Sequence, residues 1–520
     1  MTMSLKATRR LIYSLVILLA LAALASAQDA GQVLRLSVGF NSLKNTLKAE
    51  NKLSGDKLAE VERLSELAKQ ANAAGHYGEA LKHMYHGIAL MRGQAWTPQR
   101  ALAAALTLKL DRMMLEPGQP FTVRIGQIYG LDEKLEGKLT GSIALTRMTG
   151  DERLKEWNTL ESVEADFTAQ PLESKIIAPE VETGNYRLSL KLQPANGEPI
   201  VKITTIHIEP GLSAQVTALK QRTARLEADF TAGQRRALLA ALPSVRYRLS
   251  LYDLANAGEI NFERLDFQSE FKEAAAMLDT LATGKDPFDG RKGDFRKAYL
   301  SKVDSTYQPY RIFVPSTYNG ARSFPLVIAL HGMGGDENSY FDYYSKGLFK
   351  EEAERHGYIV ACPKGRNPAS MYIGDAERDV LDVMAEMMRA YRIDPDRVYL
   401  TGHSMGGYGT LTVAMNHPEL FAAIAPVAGG VMSPPSLSKI ARIPQLLVHG
   451  DADRTVPVER SRMIVETGKK LGAEIKYIEV PGGDHGSVVA PHFKDVFDWF
   501  DAHKRKTAEA AAAAAGAKSN

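Results

Sequence analysis

Between Tyr299 and Lys504, short apolar runs alternate with segments of helical period, and this alternation constrains the fold more than any other feature of the chain. YRIFVPS, FPLVIALHG, YIVACPKG, RVYLTGHS, FAAIAPVAGG, PQLLVHG and IKYIEVPGG read as strands. Between them the spacing predicts helices at Asp379–Tyr391, Met405–Asn416 and Val458–Leu471, with a last one from Phe493. Val380, Val383, Met384, Met387, Met388 and Tyr391 form one stripe of the first, and its methionines read as core filler. Strands separated by helices demand a parallel sheet with crossover connections, so this region is predicted to be α/β.

The rest of the 520 residues has a different texture, as expected for a chain too long for one ordinary domain. Lys6, Arg9 and Arg10, the apolar run Leu11–Leu24 and the small residues Ala25-Ser26-Ala27 read as a signal peptide over 1–27. That run is too short for the ~20 residues that span a bilayer, so no membrane anchor is expected after cleavage. Export to the periplasm or medium follows. Residues 28–105 form a helical N-terminal segment, within which 30–55 has weak patterning and reads as a linker or loosely docked arm. Over 106–210 the period is two, broken by Pro-Gly, Thr-Gly and Asn-Gly, which predicts a β-sandwich-like domain. Residues 211–290 read as a helical connector ending in the boundary loop Gly284–Phe295. The α/β unit spans 291–505, and 506–520 is an Ala-rich tail.

One motif sits at a decisive place. In YLTGHSMGGYGTL, Ser404 is the centre of a G-x-S-x-G pattern at the junction of a predicted strand and a predicted helix. The short pattern alone is weak. Its context is specific, because flanking glycines allow a sharp turn that holds a serine oxygen above the strand ends. A nucleophilic serine needs a base and an orienting acid, which follow it in the order acid, histidine in this topology. His485 in GGDHGS follows the last strand. Asp451 and Asp453 in HGDADRTVP follow the strand before it. HGMGG, from His331 to Gly335, follows an earlier strand, and its backbone N–H groups together with that of Met405 can bind an oxyanion.

As a set, LHGMGG, DPDRVYLTGHSMGGYGT, HPELFAAIAPVAGG and HGDADRTVP leading to GGDHG resemble secreted α/β-hydrolases of the feruloyl esterase, acetylxylan esterase and polyhydroxybutyrate depolymerase group. They also resemble the related prolyl-oligopeptidase-like predicted peptidases. The resemblance covers about 200 residues and implies a C-terminal α/β-hydrolase fold, preceded by the helical and sandwich-like segments. By position it implies Ser404 as nucleophile, Asp453 as acid, His485 as base, and Met333 and Met405 as oxyanion donors. The activity implied is hydrolysis of a small-molecule or polysaccharide-linked carboxylic ester. A peptidase of the prolyl-oligopeptidase type and a catalytically silent binding module are the alternatives.

Other classes find little support. The net charge of +3, from 64 basic and 61 acidic residues, gives no concentrated basic face for nucleic acid. No metal or other cofactor is expected: there is no His-Glu-x-x-His, no paired Cys or His ligand set and no phosphate-binding Lys-Ser/Thr loop. His331, His403 and His449, each at a strand end, read as loop-orienting hydrogen-bonding groups. Cys362 is the single cysteine, so no intrachain disulfide can form, and its apolar surroundings predict an inert buried thiol.

Overall fold

The computed structural model describes residues 30–505, apart from 151, 165, 169, 234, 264 and 368. The segment 1–27 that reads from sequence as a signal peptide and the Ala-rich tail lie outside the described residues. The chain divides into two compact units. Of the described residues, the first holds those up to Gln221 together with Leu249–Lys272, and the second holds Arg222–Arg248 and those from Glu273.

The first unit begins with helix α1 over 30–49, followed by α2 (Gly55–Ala73), α3 (Tyr77–Met91) and α4 (Pro98–Ala105). Helix α1 corrects the expectation of a linker over 30–55. Val33 and Phe40 are buried with Val61, Ala80, Leu81 and Met84, and a Cβ at Gly87 of α3 would run into the Phe40 ring. Two sheets follow. One has the order β1 (Leu106–Leu110), β3 (Pro120–Gln127), β6 (Leu172–Ile177). The other has the order β2 (Met114–Leu115), β8 (Ile200–Ile208), β7 (Gly184–Gln193), β4 (Leu139–Arg147), β5 (Arg153–Val163). Alternate residues of both, such as Phe121, Val123 and Ile125 against Leu145, Leu188 and Leu190, share one core. All pairings are antiparallel except β2 with β8, which is parallel.

Helices α5 (Leu212–Ala232), α6 (Leu242–Asn256) and α7 (Phe267–Ala282) each run from one unit into the other. The second unit is built on eight strands: β9 (Gly293–Leu300), β10 (Tyr307–Val314), β11 (Phe324–Leu330), β12 (Ile359–Pro363), β13 (Ile393–His403), β14 (Ala423–Val427), β15 (Gln445–Gly450) and β16 (Ile475–Val480). Their order across the sheet is β9-β10-β12-β11-β13-β14-β15-β16. From β12 to β16 neighbours are parallel, and β9 and β10 are added antiparallel at one edge. Strand β9 begins inside Gly284–Phe295, which reads from sequence as a loop; its Asp294, Arg296 and Lys297 hide the apolar period.

The helices of this unit are α8 (Leu348–His356), α9 (Asp375–Ala390), α10 (Met405–Asn416), α11 (Glu459–Lys470) and α12 (Phe493–Ala502). One sheet face presents Val327, Ala329, Tyr399, Ala423, Ala425, Leu446 and Val448 to Phe349, Phe493, Phe497 and Phe500 of α8 and α12. Cys362 is buried in the same cluster, and burial pushes its thiol pKa well above the ordinary range. On α9 the stripe is narrower than its period suggests: Val380, Val383 and Met387 are buried, while Met388 is exposed. No helix among the described residues is long and apolar enough to cross a membrane.

Candidate active site

Strand β13 ends at His403 and helix α10 begins at Met405, which leaves Ser404 alone to make the turn. It does so at φ 57° and ψ −116°, a conformation that costs a non-glycine residue about 1–3 kcal/mol. The turn is held by the Ser404 N–H, which donates to the Val427 carbonyl at 2.9 Å, and by the Tyr408 N–H, which donates to the Ser404 carbonyl at 3.0 Å. Close approach explains the glycines on either side. A Cβ at Gly402 would strike the Gly406 carbonyl, and one at Gly406 would strike the Leu330 carbonyl and lie 2.8 Å from that of His331. These neighbours are backbone and cannot swing away. Gly406→Ala is therefore expected to destabilise the unit by about 2 kcal/mol or more. A denaturant midpoint unchanged from the parent would contradict this packing.

The loops after β15 and β16 meet over this turn. His485 Nε2 lies 2.8 Å from Ser404 Oγ, and His485 Nδ1 lies 2.7 Å from Asp453 Oδ2. The other oxygen, Asp453 Oδ1, accepts the N–H groups of Thr455 at 2.8 Å and Val456 at 2.9 Å. His449 Nε2 donates to the Val456 carbonyl at 2.9 Å and passes 3.3 Å from Asp453 Oδ2. Its Nδ1 lies 2.7 Å from Ser461 Oγ. Burial alone would raise the Asp453 pKa. The hydrogen bonds from His449 and His485, with the Val456 N–H, outweigh burial and hold it well below the usual carboxylate range.

The other two carboxylates of these loops accept backbone N–H groups, Asp451 from the neighbouring loop and Asp484 from its own. Asp451 Oδ1 accepts the Gly482 N–H at 2.7 Å. Asp484 Oδ1 accepts those of Gly486 at 3.0 Å and Ser487 at 2.8 Å. Of the residues singled out in the sequence, the structure thus joins Ser404, His485 and Asp453 in one hydrogen-bonded line and leaves Asp451 outside it, as it does the neighbouring Asp484. The HGMGG loop is close by: a Cβ at Gly332, the residue before Met333, would lie 3.4 Å from Ser404 Cβ. Met405 directly follows the serine and opens α10.

All three strand-end histidines make loop contacts. His331 Nε2 is 2.7 Å from the Lys364 carbonyl, and His449 binds its own loop as described. His403 Nε2 donates to the His485 carbonyl at 2.8 Å, and its Nδ1 is 3.2 Å from Tyr344 Oη. Burial first, then the neighbouring His485, lower the His403 pKa to about 4. An unfolded chain takes up a proton on this ring below pH ~6.5, whereas the folded chain resists until about 4. Its contribution is therefore intact above pH ~6.5 and is lost as the pH falls toward 4, by at most about 1.4 kcal/mol per unit. His403→Gln is expected to flatten the fall in denaturation free energy between about pH 7 and about pH 5. A slope identical to that of the parent would refute the assignment.

The strand order and the strained serine turn between β13 and α10 decide the architecture. The C-terminal unit is an α/β-hydrolase fold. Over residues 373–433, which include the serine turn, the chain matches the profile of the prolyl oligopeptidase family. It is 33% identical over 156 residues to the putative esterase NocK of Nocardia uniformis subsp. tsuyamanensis, which covers 26% of this chain and 42% of that protein. To the bifunctional acetylxylan esterase/xylanase XynS20E of Neocallimastix patriciarum it is 33% identical over 146 residues, 27% of this chain and 21% of that one. The chain thus spans less than half the length of either relative. A solved structure, a ferulic acid esterase of Anaeromyces mucronatus in complex with ferulic acid, superposes with a TM-score of 0.34 at 19% identity, over 39% of this chain and 88% of that one. By sequence the α/β-hydrolase unit resembles esterases of the acetylxylan type, the probable feruloyl esterase C of Aspergillus oryzae at 27% identity over 184 residues, 34% of this chain and 68% of that one, and the prolyl oligopeptidase family.

What the sequence did not single out is the aromatic support of this hydrolase site. Tyr344 joins His403 to Gly332, and Tyr372, fully buried at φ 52°, packs on Gly409 of α10 and on the His331 ring. Neither carries a motif.

Proposed function

We propose that this chain is an exported serine hydrolase that cleaves carboxylic esters through an acyl-enzyme. The observation that carries the reading is the hydrogen-bonded line Ser404 Oγ, His485, Asp453. His485 Nε2 takes the Ser404 proton as the oxygen attacks the acyl carbon. Asp453 accepts from Nδ1–H, which fixes the imidazole tautomer and stabilises the cation that forms. The backbone N–H groups of Met333 and Met405 receive the developing oxyanion, and a single such donor is worth about 3–4 kcal/mol. The imidazolium then protonates the leaving alcohol, and water, activated by the same His485, hydrolyses the acyl-serine.

Export rests on the charged and apolar start of the chain and its small-residue cleavage site at Ala25-Ser26-Ala27. The division into a helical segment to 105, a sandwich-like domain over 106–210, a connector over 211–290 and a catalytic domain over 291–505 belongs to the same proposal, with the chemistry confined to the last. The esterase relatives favour an ester, of a small molecule or attached to a polysaccharide. The match to the prolyl oligopeptidase family favours a second reading, a serine peptidase. A silent binding module would have no use for three side chains so aligned.

The test is a substrate panel of p-nitrophenyl esters, feruloyl and acetyl sugars and aminoacyl amides. Turnover of the esters at least a hundredfold faster than of the amides is expected. The reverse order would replace the esterase reading with the peptidase one, and no turnover of either would sink both.

A further inference from the structure

Between the oxyanion loop and the base loop lies a chain of hydrogen bonds whose direction is fixed throughout. The His485 carbonyl can only accept, so His403 Nε2 carries the proton in their 2.8 Å bond. His403 Nδ1 is then bare and must accept, and the Tyr344 hydroxyl 3.2 Å away is the group that donates to it. With its proton so engaged, Tyr344 Oη accepts the Gly332 N–H at 2.9 Å. The rings are locked edge to face, with centroids 5.3 Å apart at 85°. A Cβ at Gly332 would lie 3.2 Å from His403 Nδ1 and 3.3 Å from Tyr344 Oη, so any side chain there would crowd both groups. Burial holds the Tyr344 hydroxyl up at about 12 and the His403 ring down at about 4, which keeps both groups neutral as drawn.

We infer that Tyr344 and His403 are positioning residues that set the distance between the oxyanion donor at Met333 and the base His485. One end of the chain pins the peptide group immediately before that of Met333. The other pins the backbone of His485 itself. His403 lies directly before Ser404, so the three working parts are referred to a single point at the end of β13. A misplacement of about 1 Å in such a site can cost a hundredfold in rate, and positions set this way act on the transition state more than on substrate binding. The inference rests on the esterase reading.

The test is the kinetics of Tyr344→Phe on p-nitrophenyl acetate, with Tyr340→Phe as control. Tyr340 is buried in the same aromatic cluster and takes no part in the chain. Tyr344→Phe is expected to lower kcat at least fivefold with KM within about twofold, while Tyr340→Phe stays within about twofold on both. A smaller loss in kcat, an equal loss in the control, or a change confined to KM overturns the inference and leaves the esterase reading standing. Should Tyr344→Phe fail to fold, His403→Gln and His403→Leu replace it. Gln can donate to the His485 carbonyl and accept from Tyr344, so it is expected to retain at least fivefold more kcat than Leu. A ratio below that overturns the inference. A parent protein without ester turnover fails the esterase reading instead.

Discussion

Ser404→Ala is expected to lower kcat for ester hydrolysis by about a millionfold, the usual loss when a triad nucleophile is removed. The fold should survive. What holds the turn is backbone: the Ser404 N–H to Val427 and the Tyr408 N–H to the Ser404 carbonyl, and alanine keeps both. The side-chain oxygen makes a hydrogen bond only to His485 Nε2 among the described residues. Circular dichroism and the denaturant midpoint should match those of the parent. Residual activity within tenfold of the parent in folded protein would remove Ser404 from the mechanism.

Loss of the acid is the second large effect. Asp453→Asn presents an amide that no longer demands a proton on Nδ1, so the histidine adopts the wrong tautomer, a change that can cost ~10⁴ in kcat. At least a hundredfold is expected here. Asp451→Asn and Asp484→Asn should each cost less than about tenfold, because among the described residues those carboxylates accept backbone N–H groups, that of Gly482 in the neighbouring loop for Asp451 and those of Gly486 and Ser487 in its own loop for Asp484. The comparison is made at one pH on folded proteins. A greater loss in Asp451→Asn than in Asp453→Asn would mean that the acid lies elsewhere.

The middle of the C-terminal sheet was legible because β11, β12, β14 and β15 are buried along their whole length and read as continuous apolar runs. Ser404, Asp453 and His485 could be singled out because Ser404 directly follows β13, and Asp453 and His485 lie in the loops that leave β15 and β16. The spacing of HGDADRTVP left Asp451 and Asp453 open, and only the family resemblance favoured the second. Three-dimensional proximity to His485 is what separates them in the structure. Helix α1 was missed although Val33, Leu36, Phe40, Leu43 and Leu47 recur at three- and four-residue intervals. Gly31, Gly39 and the polar residues between diluted that signal, and burial against α3 outweighed the poor local propensity. Strand β9 went unrecognised because charged residues, Asp294, Arg296 and Lys297, interrupt its alternation. Tyr344 could not be told from Tyr340 and Tyr343 in SYFDYY, since its role arises only when Gly332 and His403 are brought to its hydroxyl.

The central claim is that His485 activates Ser404. The most direct measurement is the site and rate of reaction with a fluorophosphonate, read by mass spectrometry of the folded protein and of its His485→Ala variant. The account predicts one adduct, on the peptide that carries Ser404, formed in the parent at least a hundredfold faster than in the variant. A folded parent that leaves Ser404 unlabelled, or that labels no faster than His485→Ala, would contradict it.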